Sequence, residues 1–175
     1  MIEGVKIETK RGNLTLRELC EDELPLILDL QSEAAEGIDE SIYVRVTSEE
    51  LSEGFRKDIV SGIYDGERLV AFSLVITNRQ GGLWEHLEGE CDYRELFTFD
   101  AVAVDREYRG LSLQKILIER ALDRARESGI CTVAATVSPD NPYSLANFEK
   151  TGFVTFKKIK AYGGLDRMLM IKKLN

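Results

Sequence analysis

The chain has 175 residues, 43% hydrophobic and 31% charged, a length and composition that suit one globular domain and exclude a disordered or fibrous protein. Its formal net charge is -8 and its basic residues are scattered, which disfavours nucleic-acid binding and favours cationic partners such as amines. The chain shows no apolar signal sequence, no long apolar span and no CxxC pair among its three cysteines. We therefore expect a single domain over residues 1–175, cytoplasmic and without a metal site or membrane contact.

The N-terminal part is predicted to contain one strand and two helices. Residues 14–19 alternate between apolar and polar side chains, as in a short strand. A helix capped by Asp22 should run to about Glu36. Thr47, with a glutamate three residues later, forms a capping box for a second helix, whose apolar face would extend to Ile59.

The middle of the chain changes to a strand pattern. Residues 62–77 are predicted to form two strands joined by a turn at Asp65-Gly66, because glycine accepts a positive φ there. Residues 78–95 are acidic and contain glycine, which is typical of a long connection. Residues 96–104 form a β-branched and aromatic run bounded by charge, which predicts a buried central strand.

The C-terminal part alternates helices and strands. The clearest helix spans residues 113–128, followed by a strand at 131–137. Asn141 followed by proline predicts a short helix to about Thr151. Two strands, at 153–160 and 166–174, close the chain. The order of elements indicates a mixed α/β domain.

The turn between the central strand and the clearest helix is a candidate phosphate site. Residues 109–114 read Arg-Gly-Leu-Ser-Leu-Gln, and a helix start presents free backbone N–H groups and the positive end of its dipole. The spacing matches neither a P-loop nor the GxGxxG of dinucleotide-binding folds. This hexapeptide alone fits an ordinary turn nearly as well as an anion cradle.

A second stretch, residues 141–153, makes the pair of motifs far more specific. Together the two stretches resemble the GNAT superfamily of N-acetyltransferases, whose signature is an AVxPxYRGxGxG/A loop followed by an NxxAxxxYEKxGF helix. The resemblance covers roughly residues 96–158, and the element order of residues 14–175 agrees with it. The matching residues are Ala103, Val104, Tyr108, Arg109, Gly110, Asn141, Glu149, Lys150, Gly152 and Phe153. The resemblance implies a central, mostly antiparallel twisted sheet of six or seven strands, with splayed central strands and about four flanking helices.

The same resemblance implies that acetyl-CoA is the acyl donor. In such proteins the edge of the strand at 102–104 pairs with the pantetheine arm, and amides from 109–114 hold the diphosphate. Asn141 would contact the cofactor arm, cap a helix, or do both. The cofactor-binding residues implied in this way are Val102, Ala103, Val104, Arg109, Gly110, Leu111, Ser112, Leu113, Gln114, Asn141 and Phe148.

Three residues depart from the family pattern. Ser112 stands where the family usually has glycine, and Gln114 stands where it has glycine or alanine. A positive φ at Ser112 would carry a strain of about 1–2 kcal/mol. Phe148 replaces the tyrosine that often protonates the departing thiolate. Tyr143 and Ser144 are the nearby candidates for that role, although a thiolate leaves readily without an acid.

The reaction implied is direct attack of a primary amine of a small molecule, peptide or protein on the thioester, assisted by a carboxylate that takes the amine proton. Asp100 is the candidate base, because it interrupts an apolar strand and strict alternation would place it on the side of Val102 and Val104. A strand-end acid paired with a basic residue is the alternative. A catalytically weak acyl-CoA-binding module and a protein-interaction domain are the competing functions, and a homodimer through the closing strands is possible by resemblance.

The acceptor side is less defined. The connection at 78–95 carries several acids with Trp84 and Tyr93, which would suit a cation, but a solvated loop explains the same composition. Tyr43 and Arg45 are further candidates at the acceptor. His86, the only histidine, is expected to be a solvated side chain.

Overall fold

A computed structural model describes residues 3–174 and shows one eight-stranded sheet in the order β1-β2-β3-β4-β5-β6-β8-β7. All neighbouring strands are antiparallel except β5 and β6, which are parallel. The strands are β1 Val5–Thr9, β2 Gly12–Glu18, β3 Ile59–Asp65, β4 Arg68–Thr77, β5 Leu96–Val104, β6 Thr132–Val137, β7 Val154–Ala161 and β8 Leu165–Lys173. The helices are α1 Leu24–Ala35, α2 Ser48–Lys57, α3 Leu113–Glu127 and α4 Pro142–Lys150.

Helices cover both faces of the sheet. Residues of α1 and α2 pack with β3, β4 and the second half of β5 in one apolar cluster, whereas α3 and α4 pack on the other face in a larger one. The start of α2 is confirmed by its capping box, in which Thr47 Oγ1 accepts from the Glu50 N–H and Glu50 accepts from the Thr47 N–H. None of the helices among residues 3–174 is both long and apolar enough to cross a membrane.

Three predictions about the elements were incomplete or wrong. The strand β1 was missed because it is an edge strand with mostly polar, exposed residues, and it adds to the six or seven strands expected. Ile59 does not extend α2: the helix ends at Lys57 and Ile59 begins β3. The connection at 78–95 contains two short 3-10 helices, Gly82–His86 and Tyr93–Glu95.

The centre of the sheet is split, and this split positions the site. The parallel pairing of β5 with β6 ends at Phe99 and Ala135, after which β5 continues along β4 and β6 continues along β8. At the same level β5 contains a bulge, because Val75 of β4 faces Phe99 while Leu74 faces Ala101. Asp100 is therefore the extra residue of the bulge.

The bulge changes which face each later residue of β5 presents. Phe97 and Phe99 pack in the cluster with α3, but Ala101 and Ala103 pack in the cluster with α1 and α2. Strict alternation would have kept these residues on one face. The prediction that placed Asp100 on the side of Val102 and Val104 assumed uninterrupted alternation along β5. That assumption was wrong, because the bulge interrupts the alternation at Asp100 itself.

Candidate active site

A cavity of about 1000 Å³ lies in the opening between β5 and β6. Its walls are β5 from Phe99 onward, the turn before α3, the start of α4 and the connection between α1 and α2. A second cavity, of about 380 Å³, lies against the connection at 78–95. The two cavities share three lining residues, Asp100, Thr136 and Tyr162.

The first wall offers backbone hydrogen-bonding groups. Because β5 and β6 stop pairing at Phe99, the edge of β5 that faces β6 has no ladder partner from Asp100 to Val104. Val102, Ala103 and Val104 all line the cavity along this edge. An extended ligand with amide groups can pair with such an edge as an added strand does.

The turn before α3 has the backbone of an anion cradle. Gly110 has φ of 84°, and no atom lies within 4 Å of where a Cβ would stand. The first backbone bond of α3 runs from the Ile116 N–H to the Ser112 carbonyl, so the amides of the first turn are free of intrahelical partners. These amides point out of a helix N-terminus at the end of the cavity, where an anion is stabilised.

Ser112 adopts the left-handed conformation, with φ of 60° and ψ of 25°. This is the strained case anticipated from the sequence, and the Ser112 side chain forms no capping hydrogen bond that would compensate. The turn thus keeps the geometry for which glycine is usual, at a cost of about 1–2 kcal/mol.

The side chains of Arg109, Leu111 and Leu113 hold this turn in place. Arg109 donates through Nη2 to the Ala34 carbonyl at 3.1 Å, at the C-terminal end of α1, where a cation is favourable. Leu113 is buried, and Leu111 packs against the same core cluster. Their candidate contribution to ligand binding therefore comes from backbone amides rather than from side chains.

Gln114 connects α3 to α4. Its Nε2 donates to Ser144 Oγ at 2.8 Å, and its Oε1 accepts from Asn147 Nδ2 at 2.8 Å. Both ends of the amide are used in contacts with α4. Ser144 is buried at the cavity wall, and because its oxygen accepts from Gln114, its own proton remains available to the cavity.

Phe148 lies one turn after Ser144 and is a packing residue. It contacts Phe99 and Phe153 edge to face, with ring centroids 5.5 and 5.0 Å apart. Tyr143, the other candidate acid, is 84% exposed, which leaves its hydroxyl mostly in solvent. Of the two, Ser144 has the better position for proton donation inside the cavity.

Asn141 caps α4, since its Oδ1 accepts from the Ser144 N–H at 3.2 Å. It also lines the cavity. The capping role is therefore present, and the side-chain amide remains beside the space that a ligand would occupy.

Asp100 has the electrostatic character of a base that works near neutral pH. The pKa of its carboxyl is raised to about 6, mainly by burial and with smaller contributions from the charges of Glu50 and Asp58, while the charge of Arg79 lowers it. The alternative, an ion pair with a basic residue, is not found among residues 3–174, where Arg79 pairs instead with Asp58 at 2.7 Å. A carboxyl with such a pKa is ionised above about pH 6 and can accept a proton.

The acceptor-side candidates are only partly brought together. Tyr43 lines the larger cavity, and its hydroxyl donates to Gln31 Oε1 at 3.2 Å, but Arg45 lies outside the lining. Trp84 and His86 line the smaller cavity, so the histidine is not simply solvated. The acids of the connection do not line either cavity.

Tyr162 and Arg167 are among the cavity residues that the sequence reasoning missed. Tyr162, in the turn between β7 and β8, has a hydroxyl 3.2 Å from Thr136 Oγ1. Arg167, on β8, is only 4% exposed yet lines the larger cavity. The signal was available, since Arg167 interrupts an apolar strand in the same way as Asp100.

The comparisons with known proteins agree with this geometry. The model of the acetyltransferase (GNAT) family matches residues 24–153. The chain belongs to the GNAT acetyltransferase family. Its fold and its membership of a family of acyltransferases, both expected from the motifs, are thereby confirmed. No curated protein matches the sequence.

Solved GNAT structures share the fold at low sequence identity. A GNAT acetyltransferase from Streptococcus pneumoniae is 19% identical, with a TM-score of 0.71 over 93% of this chain and 99% of that one. A putative acetyltransferase from Salmonella typhimurium, solved with acetyl-CoA, is 18% identical, with a TM-score of 0.71 over 93% and 94%. The ribosomal-protein-S18-alanine N-acetyltransferase of Escherichia coli is 17% identical, with a TM-score of 0.69 over 91% and 93%.

Proposed function

We propose that this GNAT protein transfers the acetyl group of acetyl-CoA to a primary amine of a small molecule, peptide or protein. Acetyl-CoA supplies the acetyl group as a reactive thioester. The observation that carries the proposal is the placement of Asp100, a carboxyl with a pKa of about 6, at the bulge where β5 and β6 separate and the two cavities meet.

The residues present fit acetyl-CoA. The free edge of β5 at Val102–Val104 suits the amides of the pantetheine arm, and the turn at Gly110 with the start of α3 suits the diphosphate. A related fold from Salmonella typhimurium was solved with acetyl-CoA, which supports the same ligand here.

In the proposed reaction the amine nitrogen forms a bond to the acetyl carbon as the carbon–sulfur bond breaks. A protonated alkyl amine must first lose a proton, because its pKa is near ~10, and Asp100 accepts that proton directly or through a water molecule. The thiolate leaves and takes a proton, for which the buried Ser144 hydroxyl in the cavity wall is the candidate donor. Phe148 contributes shape rather than acid chemistry.

Binding of the donor is tested with a matched pair of glycine variants at the two ends of α3. Gly110 and Gly129 have φ of 84° and 70°, and neither has an atom within 4 Å of an added Cβ, but only Gly110 lines the cavity. Both valine variants should lose stability through strain, while only Gly110→Val should lose most of the increase in melting temperature that acetyl-CoA produces. An equal response of both variants to acetyl-CoA contradicts the cradle.

Catalysis is tested by thiol release with a panel of amines. Release that depends on the amine and disappears in Asp100→Asn supports the transferase. Binding of acetyl-CoA without release for any amine would instead favour the acyl-CoA-binding module, and no effect of millimolar acetyl-CoA on melting would favour a protein-interaction domain.

A further inference from the structure

Arg167 is a buried cation with no matching anion. It is 4% exposed, and its Nη1 donates to the Asp166 carbonyl at 2.8 Å. Its guanidinium carbon lies 5.4 Å from the ring centroid of Tyr162. Across residues 3–174 no carboxylate forms an ion pair with it, because the neighbouring Asp166 pairs with Lys158 and Lys160.

This arrangement is uncommon because a buried charge is costly unless it is paired. Only one of the guanidinium nitrogens has an acceptor within the described part of the chain, and Arg167 lines the larger cavity. A planar group with free parallel N–H donors facing a cavity is suited to bind a carboxylate through two hydrogen bonds.

Arg167, Asp100 and Tyr162 line the same cavity, and the Arg167 guanidinium lies over the Tyr162 ring. Both charges influence the Tyr162 hydroxyl: Asp100 raises its pKa, after burial, and Arg167 lowers it. The cavity thus offers a negative group for a substrate amine and a positive group for a substrate anion. A single free guanidinium matches the one charge of a carboxylate better than the higher charge of a phosphate, since Arg109 is held by the Ala34 carbonyl.

We propose that the acceptor is an amine that also carries a carboxylate, as in an amino acid, with Arg167 binding the carboxylate while Asp100 receives the amine proton. This inference rests on the acetyltransferase function proposed above. Arg167 would then be a specificity residue for the acceptor and would not affect acetyl-CoA.

The experiment measures thiol release with the twenty amino acids, and with the carboxamide and the decarboxylated amine of each one that reacts. We expect the free acid to have a kcat/KM about 10-fold to 100-fold above that of its amide, since hydrogen bonds to charged groups are worth about 1.5–3 kcal/mol. Arg167→Gln should remove this preference by lowering kcat/KM for the acid alone. Arg167→Lys should retain part of it, because the charge remains but the planar fork is lost.

Two further readouts separate a binding role from a structural one. Because Arg167 has no ion-pair partner, removal of the buried charge offsets the lost bond to the Asp166 carbonyl, so Arg167→Gln should melt close to the wild type and should respond equally to acetyl-CoA. With CoA present, the reacting amino acid should raise the melting temperature of the wild type but not that of Arg167→Gln. A dipeptide with the same C-terminal residue distinguishes a peptide carboxyl terminus from a free amino acid.

The outcomes that overturn this inference differ from those that overturn the proposed function. Acetylation of amides or simple amines as fast as of acids, or an equal loss for all acceptors in Arg167→Gln, contradicts the carboxylate site but leaves the transferase intact. Loss of the acetyl-CoA response in Arg167→Gln would assign the residue to folding or donor binding. Thiol release that depends on none of the amines contradicts both.

Discussion

Replacing Asp100 by asparagine should make the protein more stable and less active, and the stability change should depend on pH. The native pKa of Asp100 is about 6, against an ordinary value of 3.8. One pKa unit corresponds to about 1.4 kcal/mol, so keeping Asp100 ionised in the folded protein costs about 3 kcal/mol.

The sign follows from which state binds the proton. Between about pH 4 and pH 6 the native state holds a proton on Asp100 that the unfolded chain has already lost, so wild-type stability falls as the pH rises through this window. The free-energy cost of keeping Asp100 ionised is absent below this pH window and complete above about pH 6. Asparagine cannot ionise and avoids it, so the variant should gain up to about 3 kcal/mol at pH 7 to 8, or roughly 6–12 °C in melting temperature.

Urea unfolding of wild type and Asp100→Asn at a series of pH values from 4 to 8 measures this difference. Thiol release by Asp100→Asn should lack the rise in rate centred near pH 6 that we expect for the wild type. Its rate at neutral pH should be about 10²-fold to 10⁴-fold below the wild-type rate, as for loss of a general base. Glu67→Gln, which removes an exposed charge at the turn between β3 and β4, is the control and should change neither quantity. A stability difference that is constant with pH, or an unchanged pH–rate profile, would refute the assignment of Asp100 as a desolvated base.

Three other substitutions test the surroundings. Glu50→Gln keeps an oxygen for the capping box but removes a charge that raises the pKa of Asp100. The acid limb of the pH–rate profile should therefore move to lower pH. An unmoved limb would mean that Glu50 and Asp100 do not interact. Ser112→Gly should raise the free energy of unfolding by about 0.5–1 kcal/mol in urea titrations, because glycine relieves the strain of the left-handed φ. Ser112→Ala keeps the strain and should not raise it. Equal effects of the two substitutions would exclude strain. Gln114→Glu keeps an acceptor for α4 but draws the Ser144 proton away from the cavity, so kcat should fall several-fold at saturating acetyl-CoA. A wild-type kcat would remove Ser144 from the mechanism.

Homodimer formation through the closing strands and the cytoplasmic location stay predictions.

The sequence by itself determined the local features of this protein. The capping box at Thr47, the turn at Gly66 with its positive φ and the start of α4 at Asn141 each depend on a few neighbouring residues, so their patterns predict them directly. The two motifs that identify the family are also contiguous stretches, which is why the fold followed from them. An edge strand such as β1 lacked a comparable signal, because its side chains are largely exposed.

The tertiary structure decided which residues meet. The bulge at Asp100 arises from pairing with β4, and it overrides the alternation that a sequence pattern assumes. Tyr162 and Arg167 reach the same cavity as Asp100 only because β8 is inserted between β6 and β7 in the sheet, which brings distant parts of the chain together. The raised pKa of Asp100 and the unpaired charge of Arg167 are consequences of burial, a property of the packed molecule, and no local pattern specifies them.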